Sequence, residues 1–357
     1  MKLYCPLLLI CLFSFLSAAS QPINTNNFEG YADETIYTRE LWQADGFTVP
    51  WVNGFNQERA RIDDAFSRSG NKSLRILFPK DQYGPDNGGA QAPLKVPGEL
   101  QYYISYWLRF SDNFSWGNTS EGGKLPGLAG GNNCSGCNTC NGTNGFSARL
   151  MWRTGGAAVL YLYHMDKEQT CGDNFNMQVV PGQNFRFQRG HWYQITERVK
   201  INTGSANNGE VELWINQQQA LVVTGLKFVT NGGLVDNLYF STFHGGSTAA
   251  WAPIENCYIW FDDIIITTNP ADIFTITAEN KHSQKKPSPL ISPNPLLSGQ
   301  DYHIELNDVL QIEWFDITGK KVLSTEKNSV VPTVKPGVYT IKITTKNKIF
   351  IEKVVIK

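Results

Sequence analysis

The sequence predicts an all-β protein, and three observations lead there. Short segments alternate apolar and polar side chains, the period of a strand with one buried face. Gly, Asn, Asp and Pro separate these segments, as tight turns require. From Phe28 to about Thr268 no amphipathic stretch is long enough for a three-turn helix. The composition agrees, with 32 Gly, 20 Phe, 14 Tyr and 10 Trp in 357 residues. Repeated strands without crossover helices pair antiparallel, so the expected architecture is a sandwich or β-jelly roll, of the concanavalin-like kind.

In chain order, Met1-Lys2, the uncharged run Leu7 to Leu16 and the small residues Ser17-Ala18-Ala19-Ser20 read as a secretory signal peptide, residues 1–20. The run is short for a bilayer span, and no second long apolar run follows, so no membrane span is expected. Strand candidates are Tyr102 to Phe110, Phe146 to Arg153, Ala157 to His164, His191 to Ile201, Val211 to Ile215, Tyr239 to Phe243 and Tyr258 to Thr267. Lys281 to Pro295 holds four Pro and no apolar period, and reads as a linker. Short strands then recur around 302–306, 309–316, 320–324, 337–344 and 349–356, which predicts a second, small Ig-like β-sandwich. The expected organisation is a jelly roll over 21–270, a linker over 271–292 and a terminal module over 293–357.

Lys plus Arg number 31 and Asp plus Glu 32, for a net charge of −1. No global basic field exists to hold nucleic acid. The aromatic content argues against disorder. From Asn280 onward twelve Lys face seven acidic residues, whereas the part before it is net acidic. Beyond the signal, five Cys remain: Cys134, Cys137, Cys140, Cys171 and Cys257. An exported chain meets an oxidising compartment, so disulfides are expected, with one thiol left over and the pairing open. The Cys134-x-x-Cys137-x-x-Cys140 triple lacks a His at matching spacing, a weak metal signal. Adjacent Asp262 and Asp263 are equally weak for calcium. No metal or cofactor is expected.

One hairpin stands out. In Phe146 to Arg153 the even positions are Phe146, Ala148, Leu150 and Trp152, and the odd ones Ser147, Arg149, Met151 and Arg153. Thr154-Gly155-Gly156 is a turn, and Ala157 to His164 returns. A three-residue turn pairs Arg149 with Tyr161 and Ser147 with Tyr163, with opposed Cβ atoms about 5 Å apart. These four side chains would form a polar square on one sheet face. A one-residue slip would break it, and a solvated sheet face is the plain alternative. Upstream, Glu121-Gly122-Gly123-Lys124-Leu125-Pro126-Gly127-Leu128-Ala129-Gly130-Gly131 reads as a glycine-rich loop with one Lys, open to close approach by another chain or ligand.

The ordered set of Tyr106-Trp107-Leu108-Arg109-Phe110, the Gly-Gly-Lys-Leu-Pro-Gly-Leu string, Ser147-x-Arg149, Tyr161-x-Tyr163, Phe243-His244-Gly245-Gly246 and Phe261-Asp262-Asp263 resembles polysaccharide lyase family 14. The resemblance spans roughly Phe28 to Thr268. It implies a jelly roll with a cleft across one sheet and activity on a polyuronate such as alginate or glucuronan. It places the family's cleft Lys, Ser, Arg and Tyr pair on Lys124, Ser147, Arg149, Tyr161 and Tyr163. The Cys-rich insert at Cys134 to Cys140 departs from that pattern.

A polyuronate lyase removes the C5 proton beside the C6 carboxylate and expels the C4 oxygen. Arg149 suits the carboxylate, with two parallel hydrogen bonds and a fixed charge. Lys124 is the candidate base if burial or Arg149 lowers its pKa, and Tyr161 or Tyr163 the candidate acid. The exchanged assignment, a Tyr base with Lys124 as electrostatic stabiliser, stays open. Ser147 would hold the substrate. His244 is either a cleft contact or a structural His, and His164 falls on the apolar parity.

The tail resembles the type IX secretion system C-terminal sorting domain, on Pro293-Asn294-Pro295, Asp316-Ile317-Thr318-Gly319-Lys320, Pro336-Gly337-Val338-Tyr339 and Lys353-Val354-Val355-Ile356-Lys357. That resemblance implies a Gram-negative cell whose type IX machinery is a partner, and a protein secreted or attached to the outer surface. A monomer is expected. Two other functions fit a β-sandwich. A carbohydrate-binding module needs no Lys-Arg-Tyr set, and a glycoside hydrolase needs paired carboxylates, for which Glu210-Val211-Glu212 is a poor match.

Overall fold

The structure, a computed structural model, describes residues 24–119, 122–230, 232–274, 291–292, 295–297, 303–304, 309–317, 320–325, 334–345 and 349–357. The predicted signal peptide, most of the linker, Glu121, Pro293-Asn294 and Thr318-Gly319 lie outside the described residues. The chain divides into two units, Met1–Thr275 and Ile276–Lys357.

The strands of the first unit are β1 (Asn24–Asn26), β2 (Ala60–Asp63), β3 (Ser73–Phe78), β4 (Gly89–Glu99), β5 (Gln101–Phe110), β6 (Gly122–Gly130), β7 (Phe146–Arg153), β8 (Ala157–Tyr163), β9 (Asp173–Asn176), β10 (Trp192–Lys200), β11 (Gly209–Ile215), β12 (Gln218–Leu226), β13 (Val235–His244) and β14 (Cys257–Thr267). They form two antiparallel sheets. One has eight strands in the order β12-β11-β10-β5-β14-β3-β2, with β1 also on β14. The other has six, in the order β4-β13-β6-β7-β8-β9. The core lies between them. Tyr102, Ile104, Tyr106, Leu108 and Phe110 of β5 face Phe146, Ala148, Leu150 and Trp152 of β7 across it. Period-two alternation thus leaves the odd side chains of β7 on the outer face of the six-stranded sheet. The helices are short, α1 (Arg39–Ala44), α2 (Gly84–Asn87) and α3 (Ala271–Phe274). Trp42 of α1 is fully buried against Phe28, Tyr37, Phe47, Phe55 and Phe240.

Every strand candidate of the first unit is a strand, but the glycine-rich segment corrects the reading. It is not a loop; it is β6, an interior strand, buried along its length. Its glycines serve close packing. A Cβ on Gly127 would stand 2.0 Å from the Ala148 carbonyl oxygen. Pro126 sits at a β-bulge, where the register to β7 steps between Leu125 and Gly127, one of the few interior positions that tolerate proline. Two polar groups from the opposite sheet brace this bulge. Tyr106 Oη donates to the Pro126 carbonyl at 2.9 Å, and Glu197 Oε2 accepts the Leu128 N–H at 2.8 Å. Burial pushes the Glu197 carboxyl well above the usual carboxylate range.

In the second unit, β15 (Ile291–Ser292) pairs β16 (His303–Ile304). The strands β17 (Val309–Phe315), β18 (Lys321–Thr325), β19 (Gly337–Thr345) and β20 (Ile349–Ile356) form an antiparallel sheet in the order β18-β17-β19-β20. Leu296, Ile304, Ile312, Trp314, Ile341, Ile343, Val354 and Ile356 make its core. Among the described residues no helix is long and apolar enough to cross a membrane.

Candidate active site

The β7–β8 register is the one the three-residue turn predicts: Arg149 opposes Tyr161 and Ser147 opposes Tyr163. On the other side of β7, Lys124 of β6 opposes Met151, and Phe243 of β13 opposes Lys124. Ser241 of β13 opposes Gln91 of β4. Side chains from five strands therefore converge on one face. They line a cleft of about 840 Å³ that includes Lys124, Arg149, Met151, Arg153, Tyr161, Tyr163 and Tyr239. Trp51 and Trp251 stand on its walls. Trp51 is 43% exposed, with its ring 6.3 Å from that of Tyr239.

Lys124 is 9% exposed. Its Nζ lies 2.9 Å from Met151 Sδ, a weak acceptor, and 3.7 Å from the centre of the Tyr161 ring. Among the described residues no carboxylate lies within ion-pair distance of it. Burial, then Arg149, then Arg153 push its pKa well below the usual ammonium range. That environment disfavours the ammonium form and favours the free, basic amine.

Arg149 is 3% exposed. Its Nη1 donates to Ser241 Oγ at 3.2 Å, its guanidinium lies 4.9 Å from the centre of the Tyr239 ring, and its Nε has no protein partner among the described residues. Tyr239 Oη and Ser241 Oγ both donate to Gln91 Oε1, at 2.9 and 3.2 Å. The guanidinium is thus braced by neutral groups and keeps its charge for a ligand. Tyr161 and Tyr163 share a hydrogen bond of 3.2 Å between their hydroxyls, and Tyr163 Oη accepts the Cys137 N–H at 2.9 Å. Burial and the Tyr161 hydroxyl push the Tyr163 phenol up to about 12, against the lowering pull of that N–H and of Arg149.

Two sequence candidates stand elsewhere. Ser147 is fully buried, and its hydroxyl donates to the Cys134 carbonyl at 2.8 Å, fastening the Cys-rich insert over the sheet. His244 has the core parity of β13. It is fully buried beside Phe78, Phe114 and Trp152, with Nδ1 2.8 Å from the Trp251 carbonyl oxygen, and burial lowers its pKa to about 4. It supports the Trp251 wall from behind. His164 is also structural, with Nε2 3.0 Å from Asp173. The cysteine triple is spent on disulfides, Cys134–Cys140 and Cys137–Cys171, and Cys257 is a buried free thiol. The sequence reading gave no site role to Gln91, Met151, Arg153, Tyr239 or Ser241.

A β-sandwich with a lysine-, arginine- and tyrosine-lined cleft across one sheet defines a carbohydrate-cleaving enzyme of the lyase type. The chain belongs to the polysaccharide lyase 14 family, whose model it matches over residues 67–264. Residues 291–357 match the secretion system C-terminal sorting domain, which directs the protein to secretion or outer-surface attachment by the type IX route. Among solved structures, alginate lyase Aly36B is 26% identical, covering 70% of this chain and 98% of that one, with a TM-score of 0.59. The PL-14 alginate lyase of Aplysia kurodai is 25% identical, covering 70% and 100%, with a TM-score of 0.56. The Chlorella virus alginate lyase vAL-1, at 18% identity, 68% and 99% coverage and a TM-score of 0.51, shares the fold. No curated protein matches the sequence.

Proposed function

We propose that the protein cleaves a polyuronate, alginate in preference to glucuronan, by β-elimination to unsaturated oligosaccharides. The observation that carries this reading is a buried Lys124, without a carboxylate partner among the described residues, in one cleft with Arg149 and the Tyr161–Tyr163 pair. Arg149 receives the C6 carboxylate of the sugar and offsets the charge that builds there as C5 loses its proton. Lys124 Nζ takes that proton. The C5–H electron pair becomes the C4=C5 double bond as the C4–O bond breaks, and a phenol of the pair protonates the departing oxygen. Gln91, Ser241 and Tyr239 hold Arg149, while Ser147 and His244 support the cleft from outside it. Alginate is favoured because the solved structures at 25–26% identity are alginate lyases, one a variant of Aly36B in complex with alginate tetrasaccharide.

The test incubates the protein separately with alginate and glucuronan and follows ultraviolet absorbance and reducing ends. A lyase raises both, a hydrolase only the reducing ends, and a binding module neither. Absorbance that stays flat on both polymers rejects the proposal, and a rise on glucuronan alone rejects its alginate part.

A further inference from the structure

The Cys-rich insert between β6 and β7 reaches the candidate proton donors directly. Cys137 is cross-linked to Cys171, which lies in the turn between β8 and β9. Cys137 has φ of +64°, the left-handed region that disfavours side chains with a Cβ. A glycine would sit there without strain, yet the position holds the residue that makes the cross-link. In this conformation its N–H points at Tyr163 Oη, 2.9 Å away. At the other end of the bridge, Gly172 follows Cys171 and lies against both phenol rings. A Cβ there would stand 2.7 Å from the Tyr163 ring and 3.0 Å from the Tyr161 ring. The single disulfide therefore draws two backbone segments onto the pair, one at a hydroxyl and one across the rings.

We propose that the Cys137–Cys171 cross-link positions the tyrosine pair for proton transfer, with Cys137 a positioning residue that acts through its backbone N–H. The inference rests on the lyase reading above. The amide donates to Tyr163 Oη, so it stabilises the phenolate and makes the phenol a better proton donor. It also fixes the hydroxyl 3.2 Å from that of Tyr161. Loss of the bridge frees Cys137 to leave its strained conformation, and the N–H leaves with it. The second disulfide is placed differently: Cys134 and Cys140 are 4% and 2% exposed, whereas Cys137 is exposed. A reductant in native buffer reaches Cys137–Cys171 first.

The experiment compares wild type, C137S/C171S, Y163F and the triple variant. For C137S/C171S we expect kcat to fall about tenfold or more with KM within about threefold, since small misplacements of reacting groups cost rate. The alkaline limb should move up, because the group that holds the phenol's pKa down is gone. In the Y163F background the cysteine substitutions should cost less than about twofold, because they act through that hydroxyl. An unchanged kcat, a loss confined to KM, or the full penalty in the Y163F background overturns the inference. Should the double variant not fold, wild type opened at Cys137–Cys171 by mild reductant gives the same readouts. Wild type inactive on every polyuronate rejects the proposed function instead. The clamp is then read from the ultraviolet titration of Tyr163, wild type minus Y163F. Opening the bridge should shift that titration up, and an unshifted titration overturns the clamp.

Discussion

Replacing Arg153 with Gln should move the acid limb of kcat/KM to higher pH. Arg153 lies two residues along β7 from Met151, which opposes Lys124. That makes Arg153 and Lys124 diagonal neighbours, about 7–8 Å apart at Cβ. Two like charges at about 8 Å, with an effective dielectric of about 20, repel by roughly 2 kcal/mol. The Arg153 side chain is partly open to solvent, which weakens that repulsion. The sign follows from the charge. Arg153 disfavours protonated Lys124, so its loss raises the Lys124 pKa, and the neutral amine is reached only at higher pH. Activity that depends on that amine then falls away earlier on acidification. The assay is the initial rate of absorbance increase at low substrate across pH, where the limb reports the free enzyme. KM will also rise, because Arg153 lines the cleft, but that changes the height of the profile and not the position of its limb. A limb within about 0.3 unit of wild type, or one displaced downward, would refute Lys124 as the titrating base.

Other substitutions test other parts of the argument. Lys124→Ala and Arg149→Ala should each lower kcat by at least about a hundredfold with an unchanged melting temperature, and near-normal turnover would remove that residue from the mechanism. Gly127→Ala should destabilise by about 1–3 kcal/mol in a calorimetric scan, because its Cβ meets main-chain atoms of Ala148 and Arg149 that cannot rotate away. Glu197→Gln keeps an oxygen to accept the Leu128 N–H but removes a carboxyl whose charged form burial disfavours. The unfolded chain ionises this group above about pH 4.3, so the wild-type protein loses stability as pH rises from there toward the raised folded pKa. The Gln variant should therefore gain on wild type between pH 4 and pH 8, by several degrees in melting temperature. An equal difference at both pH values would mean that Glu197 is not held neutral.

The hairpin was legible because everything that fixes it is local. A three-residue turn sets the β7–β8 register, and period two puts Arg149 and Tyr161 on one face. Strand β6 was not legible. Gly and Pro are depleted from strands, and the need for them arises from Trp152, Ala148 and Phe243 on neighbouring strands, which only the folded sheet brings near. Gln91, Tyr239 and Ser241 escaped notice for a related reason. Each is ordinary in its own segment and gains meaning from the β4-β13-β6 order. His244 lies next to Phe243, which lines the cleft, and one step of parity turns it into the core. Ser147 has the cleft-side parity that was expected, but the insert folds over it, and nothing in the Cys spacing announced that lid.

The place of Lys124 also depends on chain segments far from it. A nine-residue strand with four glycines and a proline has little tendency to extend by itself. Its slot exists only when β7 on one side and β13, more than a hundred residues downstream, are both in place. Lys124 therefore meets Met151 and Phe243 only in the completed sheet, and a chain without β13 leaves the amine short of one wall of its slot.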